Sequence, residues 1–561
     1  MSSILPASST SLLLLGPLVG LVALALMAGT GYLLLFTPAG DGILLRRKPN
    51  PRERDFNPLG GDAMKTNKLL DAIPAWERAG LKTLNSEHPL TEHFALWKLH
   101  AELRSPIVRT GPNQVHVADV ASHRVIFNHG QESYCKGKMY ELFDDAGMSN
   151  VFSFRFKDEH APRRKLLSHA FAPNSVRTMR PFISQKLDAL LQLIHGATKE
   201  GTNKPIDMMT AYQCMSGDIT IKFAFAHDAQ MVESGKLDQL LLDIRKRTKA
   251  AAPSRRVHRA FELLPALSAA LPYLPEHIKS DVTAMRRLDQ SLKTIVGRFM
   301  ANGGDEGEVF QKIVSAIDDT TGRALPAEVL MVESRGIVIA GVETTAAFLT
   351  FLTWELSRRP ELYDTLLEEL KTLMPHRATG ADAMATFLPD PAEIAKLPFL
   401  SVLMMEIFRV YPAGARPFPR VVPKGGATFH GHFLPAGTEI TCATWLQHRW
   451  DADLWGAEPL RFRPERWVEA QREADPTRFE GMKRALVPFS TGPRTCIGRH
   501  LAMEVLHLAI AAVFRNYRPS TSTDPDAPGM LSTEEDMTFI GYLVAFPKSH
   551  QLRMRWERVQ E

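Results

Sequence analysis

The stretch that decides the fold of this chain is Phe489-Ser490-Thr491-Gly492-Pro493-Arg494-Thr495-Cys496-Ile497-Gly498. It holds one cysteine, Cys496, in a loop bounded by glycine and proline, and the residues that follow it read as a helix. A cysteine near a helix N-terminus faces free N–H groups and the positive end of the helix dipole, which favour a thiolate. Gly492 and Gly498 let the backbone approach a flat ligand closely, and Arg494 offers a charged donor fork suited to a carboxylate. The pattern predicts that Cys496 is a metal ligand, and the alternative is a buried structural cysteine, the usual fate of a lone thiol.

The spacing F-x-x-G-x-R-x-C-x-G resembles the haem-binding loop of the cytochrome P450 family, and the chain as a whole resembles its fungal microsomal members. This resemblance implies a cytochrome P450 fold, mainly α-helical with small β-sheets. It implies haem b as the cofactor, with iron held by the Cys496 thiolate and with Phe489, Arg494 and Gly498 against the ring. O₂ is then the co-substrate.

Length and composition indicate one large catalytic domain. The chain has 561 residues, of which 45% are hydrophobic, so it can bury a large core. A linker rich in glycine, serine or proline is missing after residue 60, so residues 61–561 are predicted to form a single haem-thiolate monooxygenase domain. The four cysteines are widely spaced and form no CxxC pair, so neither a disulfide framework nor a zinc site is indicated. The net charge of +5, without a basic stripe carrying interleaved aromatics, argues against nucleic acid as a partner.

The N-terminal region predicts a single membrane span. Residues 12–36 carry no charge and are long enough to cross a hydrocarbon core, which needs about 20 apolar residues. The preceding residues 1–11 lack Lys and Arg, whereas the linker 37–60 is basic and rich in proline, so the lumenal end is the N-terminus and the catalytic domain faces the cytoplasm. By the resemblance, this signal anchor lies in the endoplasmic reticulum membrane. A cleaved signal peptide is the alternative.

The soluble part reads as mostly helical, with strand-like runs near residues 106–128, 418–446 and 537–556. Within the first run, two alternating segments flank Gly111-Pro112-Asn113, which predicts a β-hairpin.

The longest helical pattern runs from Pro326 to Arg358, and its centre breaks the local rules. Gly341 costs about 1 kcal/mol relative to alanine in a helix interior, and a carboxylate in an apolar run is costly unless it is paired. Such breaks are typical of functional sites. By the resemblance, this helix crosses the distal face of the haem, a widened turn at Gly341 makes room for dioxygen, Thr344 hydrogen-bonds the bound oxygen and Glu343 helps to deliver protons. The alternative is a threonine bonded back to its own helix beside a solvated glutamate.

Another helical segment, residues 399–410, sets Glu406 and Arg409 one turn apart in an apolar run. In isolation such spacing is usually a solvated surface pair. The segment Phe462-Arg463-Pro464-Glu465-Arg466-Trp467 resembles the P-E-R-F segment of the family, with tryptophan at the end. The resemblance implies that Arg466 joins Glu406 and Arg409 in a charge triad that holds the fold and takes no part in catalysis.

Two propionate carboxylates in an apolar pocket require cationic or N–H partners. The positions that match the family pattern are Arg164, Arg420 and Arg494. His160 precedes Arg164 by four residues, where many relatives carry tryptophan, and is interpreted either as a further propionate contact or as a structural histidine.

The resemblance implies a membrane-anchored monooxygenase that inserts one oxygen atom from O₂ into a small apolar organic substrate by hydroxylation or epoxidation, in fungal secondary metabolism. Because no flavin or NADPH fingerprint occurs in the sequence, electrons are expected from NADPH through a separate diflavin reductase. Its docking face would carry Lys165, Lys483, Arg484 and Arg499, and the alternative is that these residues form an ordinary solvated surface. The expected partners are therefore the reductase, the substrate and membrane lipid.

Two other functions are compatible with a haem-thiolate site. One is a peroxide isomerase or dehydratase that needs no O₂, and the other is a non-catalytic haem-binding sensor or carrier. The Glu343–Thr344 pair disfavours both. By family analogy the substrate pocket is lined by residues 134–148, 412–418 and 540–543 and by Val332, Gly336 and Ile337, which leaves the identity of the substrate open.

Overall fold

The computed structural model describes residues 92–127, 134–144, 147–198, 204–249, 257–258, 261, 265–301, 309–318, 322–376, 388–473, 476–520, 531–541 and 544–560. The predicted lumenal segment 1–11, signal anchor 12–36 and linker 37–60 lie outside these residues.

Most of the described chain is helical, and short strands are interspersed. The α-helices are α1 (Glu92–Leu103), α2 (Val120–Phe127), α3 (Lys157–Ser168), α4 (Pro173–Arg177), α5 (Arg180–Thr198), α6 (Met208–Phe225), α7 (Met231–Ser234), α8 (Gln239–Lys249), α9 (Glu276–Ala301), α10 (Val309–Val314), α11 (Ala327–Ser357), α12 (Pro360–Leu373), α13 (Pro391–Ile394), α14 (Pro398–Val410), α15 (Thr444–Trp450), α16 (Ala452–Trp455), α17 (Glu465–Arg472), α18 (Thr477–Ala485) and α19 (Arg499–Asn516). Short 3-10 helices cover Lys138–Phe143, Pro265–Tyr273 and Gly492–Arg494.

The strands are β1 (Ile107–Gly111), β2 (Gln114–Val117), β3 (Cys135–Lys136), β4 (Ile206–Asp207), β5 (Ile317–Asp318), β6 (Arg323–Ala324), β7 (Arg420–Val421), β8 (Ala427–Phe429), β9 (His432–Leu434), β10 (Glu439–Thr441), β11 (Tyr517–Ser520), β12 (Phe539–Gly541), β13 (Ala545–Pro547) and β14 (Arg553–Arg558).

The largest described sheet has the strand order β1-β2-β10-β7-β3. Strands β1 and β2 form the predicted hairpin, with Ile107 opposite Val117 and Gly111 opposite Gln114. The strand-like run 106–128 does not continue as a strand, because the side chain of Asp119 accepts a hydrogen bond from the Ser122 N–H at 2.8 Å and starts helix α2 there. The sheet matters for the site because β3 and β7 pair with Lys136 opposite Arg420.

Helix α11 is the core helix of the fold. Pro326 is its N-cap, so the proline precedes the first turn, and Pro360 begins the next helix. Among the described residues, α11 is the helix long and apolar enough to cross a membrane, but 67% of its most apolar window is buried inside the protein. It packs along α6, where Ser216 Oγ donates to the Val342 carbonyl at 2.9 Å and the Tyr212 hydroxyl lies 2.8 Å from Thr353 Oγ1.

The chain divides into two compact units, and all candidate site residues belong to the one that holds residues 61–238 and 295–561. The other unit includes residues 239–294. Within it, α8 and α9 are joined by Arg287, which donates to both carboxylate oxygens of Asp243 at 2.6 and 3.0 Å.

Candidate functional site

The cysteine loop is held closed by its own backbone. The Cys496 N–H donates to the Phe489 carbonyl at 2.9 Å, and helix α19 starts three residues after the cysteine with Gly498 at its N-cap. The ring of Phe489 packs against Phe408 of α14 at a centroid distance of 5.4 Å. All four cysteines lie in the described residues, and Cys496 is exposed whereas the other three are buried.

The environment of Cys496 combines an accessible side chain with protein packed closely around it. Its side chain is accessible, yet the protein surrounds it closely enough that burial raises the pKa of the thiol above its ordinary value. The Gly498 N–H and the charges of Arg164 and Arg499 lower this pKa, but burial outweighs them. The protein alone therefore does not stabilise the thiolate form of Cys496, contrary to the expectation for a cysteine at the start of a helix. A bound cation would have to stabilise it.

Gly498 is not required by the protein around it. A Cβ at this position would lie 3.9 Å from Phe171 and 4.0 Å from the Cys496 sulfur, which is ordinary contact, and the φ angle of −80° suits any residue. Because neither contacts within the protein nor the backbone conformation requires glycine here, its presence fits a position where a ligand approaches the backbone.

Two of the three arginines predicted to face the propionates make hydrogen bonds at the cysteine loop, and the third lies in the sheet. Arg494 donates to the carbonyls of residues 154, 155 and 156 at 2.8, 3.1 and 3.1 Å, which anchors the loop to the segment before α3. Arg164 of α3 donates to the Thr495 carbonyl at 2.6 Å. Arg420 is buried in β7 and donates to the Tyr140 hydroxyl at 2.7 Å.

Lys136 joins these arginines, and the sequence analysis missed it. It is buried opposite Arg420 in the sheet. Burial lowers the pKa of its ammonium group well below the ordinary value, and the charges of Arg420, Arg494 and Arg164 lower it further. Within segment 134–148, the neighbouring sequence does not distinguish Lys136 from a lysine on the surface. Its burial depends on pairing with Arg420, which lies almost 300 residues further along the chain.

His160 lies in the same positive field. Burial, followed by the charges of Arg494 and Lys136, lowers the pKa of the imidazole to about 2. It is therefore neutral at physiological pH and can donate one N–H. Around this neutral histidine, Lys136 and Arg420 are buried and Arg164 and Arg494 are half-buried. The local charge is therefore positive, and the donor set fits a group that carries two carboxylates.

The centre of α11 presents one accessible face. Ala340 is exposed, although the helix is otherwise largely buried around it, and Glu343 and Thr344 are half-buried beside it. The Thr344 hydroxyl donates to the Ala340 carbonyl at 2.7 Å, which is the back-bonded geometry of the alternative interpretation. Glu343 is not merely solvated, since its carboxylate accepts from the side chain of Gln213 in α6 at 2.9 Å.

Gly341 has a different role from the one that the resemblance implied. Helix α11 is uninterrupted through this position, without a widened turn. A Cβ on Gly341 would lie 2.7 Å from Thr220 Cγ2 and 2.8 Å from Thr220 Oγ1. The glycine is needed because α6 and α11 approach each other closely here.

A second carboxylate of α11, Glu333, was also missed. It is buried, lies 2.6 Å from Arg163 of α3 and accepts the Val151 N–H at 3.0 Å. Burial nevertheless raises the pKa of Glu333 above its ordinary value. This residue connects the long helix to α3, the helix that carries His160 and Arg164.

The structure brings Glu406, Arg409 and Arg466 together in one buried cluster. Arg409 donates through Nε and Nη2 to the two oxygens of Glu406, both at 2.8 Å, and Arg466 Nε donates to Oε1 at 3.0 Å. Burial would raise the pKa of Glu406, but Arg409 and Arg466 hold it below its ordinary value. The pair is therefore not a solvated surface pair.

Tryptophan at position 467 completes this cluster. Its indole Nε1 donates to Glu406 Oε2 at 2.8 Å, and the Arg463 N–H donates to Oε1 at the same distance. A phenylalanine could not make the first of these bonds, which gives the substitution in the P-E-R-F pattern a physical reason. The remaining donors of Arg409 reach the carbonyls of residues 448, 459 and 461.

Comparisons with known proteins agree with this geometry. The family model of cytochrome P450 matches residues 84–540. The cytochrome P450 monooxygenase tazI of Aspergillus terreus is 28% identical over 458 residues, which cover 81% of this chain and 86% of that protein. The cytochrome P450 monooxygenase hkm5 of Aspergillus hancockii is 27% identical over 427 residues, covering 75% and 78%.

Among solved structures, the haem domain of cytochrome P450DA matches with a TM-score of 0.67 at 16% identity, covering 87% of this chain and 98% of that one. This likeness bears on the fold alone. The predicted architecture of helices with small sheets is confirmed.

Proposed function

The chain belongs to the cytochrome P450 family and is a monooxygenase of it, and from this premise we propose that it inserts one atom of O₂ into a small apolar organic substrate, by hydroxylation or epoxidation, with Cys496 as the haem ligand. The observation that carries the proposal is the gathering of basic side chains around the loop of the exposed cysteine. Lys136 and Arg420 are buried opposite each other in the sheet. The half-buried Arg164 and Arg494 make hydrogen bonds at the loop, and two carboxylates would balance the positive charge of this set.

Haem held through a thiolate supplies the chemistry of O–O cleavage when it is bound. In this chain the sulfur of Cys496 would hold the iron, while Arg164, Arg420, Arg494 and the neutral His160 would donate to the carboxylates of the ring. Arg164 and Arg494 also fix the loop through backbone carbonyls, so the groups that would bind the carboxylates also position the sulfur.

The accessible face of α11 would manage protons. The Thr344 hydroxyl donates to Ala340 in this structure, which leaves the lone pairs of its oxygen free to accept a proton donor from the pocket. Glu343 would pass a proton towards that hydroxyl from its half-buried carboxyl, and Gln213 holds one of its oxygens.

The finer parts of the proposal concern partners and location. We place the catalytic domain on the cytoplasmic side of the endoplasmic reticulum membrane, anchored in lipid by residues 12–36. Electrons would come from NADPH through a separate diflavin reductase that docks near Lys165, Lys483, Arg484 and Arg499. The fungal origin of the related monooxygenases supports a substrate from fungal secondary metabolism.

The ligand assignment is tested with Cys496→Ser in the full-length protein. We expect the variant to lose the red-shifted Soret band of the reduced CO complex, because a hydroxyl cannot replace the thiolate as the electron-donating ligand. Cys214→Ser, at a buried cysteine of α6, is the matched control and should retain the band. Retention of the band in Cys496→Ser would refute the assignment.

The reaction class is tested by adding a reductase and NADPH to the wild-type protein with a panel of apolar metabolites. A monooxygenase consumes NADPH and O₂ in a substrate-dependent way. A peroxide isomerase or dehydratase would turn over without either, and a sensor or carrier would bind haem without turnover, so both outcomes would contradict the proposed reaction.

A further inference from the structure

One buried acid of α11 is connected to the cysteine loop by two separate routes. Glu333 is 1% exposed, and its two carboxylate oxygens contact different parts of the chain. Oε2 accepts the Val151 N–H at 3.0 Å, and Oε1 accepts from Arg163 Nη1 of α3 at 2.6 Å. Each of these contacts begins a route of bonded and packed groups that ends at residues 494–495.

The first route passes through the turn formed by residues 150–154. Four of its five backbone N–H groups have acceptors inside the turn, at 2.9 to 3.1 Å, and these N–H groups belong to residues 150, 152, 153 and 154. The fifth, the Val151 N–H, has its acceptor on another element, in Glu333. At the end of the turn, the Phe154 carbonyl accepts from Arg494 Nη1 at 2.8 Å. Glu333 therefore fixes to α11 a turn that also holds the cysteine loop.

The second route passes through helix α3. The guanidinium of Arg163 lies over the Phe154 ring at 5.4 Å, which keeps it beside the turn. The next residue of the helix, Arg164, donates to the Thr495 carbonyl at 2.6 Å. The two routes thus reach adjacent residues of the loop, Arg494 and Thr495, directly before Cys496.

A carboxylate is an expensive way to join these elements. A buried acid with one guanidinium and one N–H as partners is often no more stable than an apolar side chain of similar volume, and burial raises the pKa of Glu333 above its ordinary value. A leucine could pack at this position, but it could accept neither of the two hydrogen bonds. A rule of packing broken in this way is typical of a functional region.

We propose that Glu333 is a positioning residue for the haem site, which fixes the cysteine loop relative to α11 through Val151 and Arg163. The inference rests on the proposed function, in which the cysteine loop and α11 face the ring from opposite sides. Glu333 itself contacts neither cofactor nor substrate. Residues that orient the ligand of a metal in this indirect way typically change metal affinity or activity about 10- to 100-fold when they are replaced.

Glu355 provides a matched control on the same helix. It is 2% exposed and accepts from the Arg359 guanidinium and from the Tyr411 hydroxyl. Burial raises its pKa, as it does for Glu333. Among the described residues, neither of its partners makes a hydrogen bond with residues 489–498. Replacement of Glu355 should therefore disturb the fold without moving the cysteine loop.

The test measures how firmly full-length, haem-loaded variants hold the cofactor. Release of ferric haem is followed by its transfer to an excess of apomyoglobin, and the red-shifted Soret band of the reduced CO complex is recorded on the same samples. Glu333→Gln keeps an acceptor for the Val151 N–H but loses the charge that holds Arg163, and Arg163→Met cuts the second route alone. Each should speed haem release about tenfold and convert part of the red-shifted band into an unshifted one.

Two further variants complete the series. Glu333→Ala cuts both routes and should release haem faster than Glu333→Gln, and if it fails to fold the other two variants decide the matter. Glu355→Gln should release haem within about twofold of the wild-type rate, below the range expected for a residue that orients a ligand, and should keep the band. Because a merely structural role would make haem release follow stability, the thermal midpoint of each variant is measured as well.

The inference is overturned if Glu333→Gln and Arg163→Met release haem like the wild type and keep the band. It is also overturned if release follows the thermal midpoint across all variants, Glu355→Gln included. A wild-type protein that lacks the red-shifted band would overturn the proposed function together with this inference, whereas either of the first two results beside a normal wild-type band overturns the inference alone.

Discussion

Two buried carboxylates, on two core helices, have opposite fates in this molecule. Glu406 of α14 accepts five hydrogen bonds, three of them from guanidinium nitrogens, and its pKa is held below the ordinary value. Glu333 of α11 accepts hydrogen bonds from one guanidinium, that of Arg163, and from the backbone N–H of Val151, and burial raises its pKa. The difference shows that the number of charged donors decides which of two equally buried acids is a fixed anion.

The same contrast extends to the regions around them. The cluster at Glu406 ties α14 to the backbone of residues 455–466 through the free donors of its two arginines. The centre of α11 instead carries a half-buried acid, Glu343, which is met by an amide, and a hydroxyl, Thr344, which is bonded to its own helix. The first arrangement suits a clamp, and the second suits groups that must exchange protons.

The largest effect is expected for Glu406→Gln. The substitution leaves Arg409 and Arg466 buried without a countercharge, so we expect a loss of about 3–5 kcal/mol in the free energy of unfolding, seen as a lower midpoint of thermal denaturation and a lower yield of haem-bound protein. Glu458→Gln is the matched control, because Glu458 forms an exposed pair with Arg461 at 3.3 Å and should cost less than about 1 kcal/mol. Equal effects of the two substitutions would contradict the clamp.

Gly341→Ala tests the crowding between α6 and α11. The added Cβ would lie 2.7 Å from Thr220 Cγ2, so we expect a destabilisation of about 1–3 kcal/mol, measured by thermal denaturation. The second substitution Thr220→Ala should restore most of the loss, because it removes Cγ2 and Oγ1, the two atoms closer than 3 Å to the added Cβ, and leaves Thr220 Cβ at 3.4 Å. Gly297→Ala, where a Cβ would meet no atom within 4 Å, should be neutral or slightly stabilising. A destabilisation that Thr220→Ala leaves in place would assign the glycine to another role.

The sequence predicts those parts of the site that are local in the chain. Three features can be predicted from sequence because a few neighbouring residues fix the geometry of each. They are the cysteine loop, the Glu406–Arg409 spacing and the hairpin at Gly111. Cytochrome P450 membership, inferred from these patterns, is confirmed.

The parts that could not be predicted depend on contacts between distant segments. Lys136 resembles a surface lysine until β3 pairs with β7. Gln213 and Thr220 lie in an apolar helix whose sequence gives no sign that it faces Glu343 and Gly341, about 120–130 residues further along. The implied widened turn at Gly341 was wrong for the same reason, since the need for glycine comes from a neighbouring helix.

Glu333→Gln sharpens the comparison of the two acids through pH. A raised pKa means that the folded state favours the protonated acid, so ionisation of Glu333 costs stability as pH rises from the ordinary value of 4.5 through the raised pKa. The glutamine variant cannot ionise, so relative to wild type it should gain stability over that window.

For Glu406, whose pKa is lowered, the ionised carboxylate stabilises the folded state above pH 4.5, and this stabilisation is lost as pH falls through the lowered pKa. Thermal midpoints of both variants from about pH 3 to pH 8, read as differences from wild type, should therefore change in opposite directions as pH rises, for Glu406 below about pH 4.5 and for Glu333 above it. Parallel curves would refute the assignment of Glu333 as the weakly compensated acid.

The smallest effect is expected at Gln213, and it concerns the proposed reaction. Gln213→Leu keeps the side-chain volume but removes the donor 2.9 Å from Glu343, so the carboxylate is held less well and we expect a loss of a few-fold in product formed per NADPH, about 1 kcal/mol in the barrier. Ser216→Ala is the matched control, because Ser216 bonds the same two helices through the Val342 carbonyl without touching Glu343. The folded fraction and the Soret band should be unchanged in both variants. If Ser216→Ala uncouples NADPH consumption from product formation as much as Gln213→Leu does, then Gln213 only holds the two helices together. Glu343 of α11 would then have no demonstrated role in proton exchange, and its contrast with the fixed anion of α14 would be structural only.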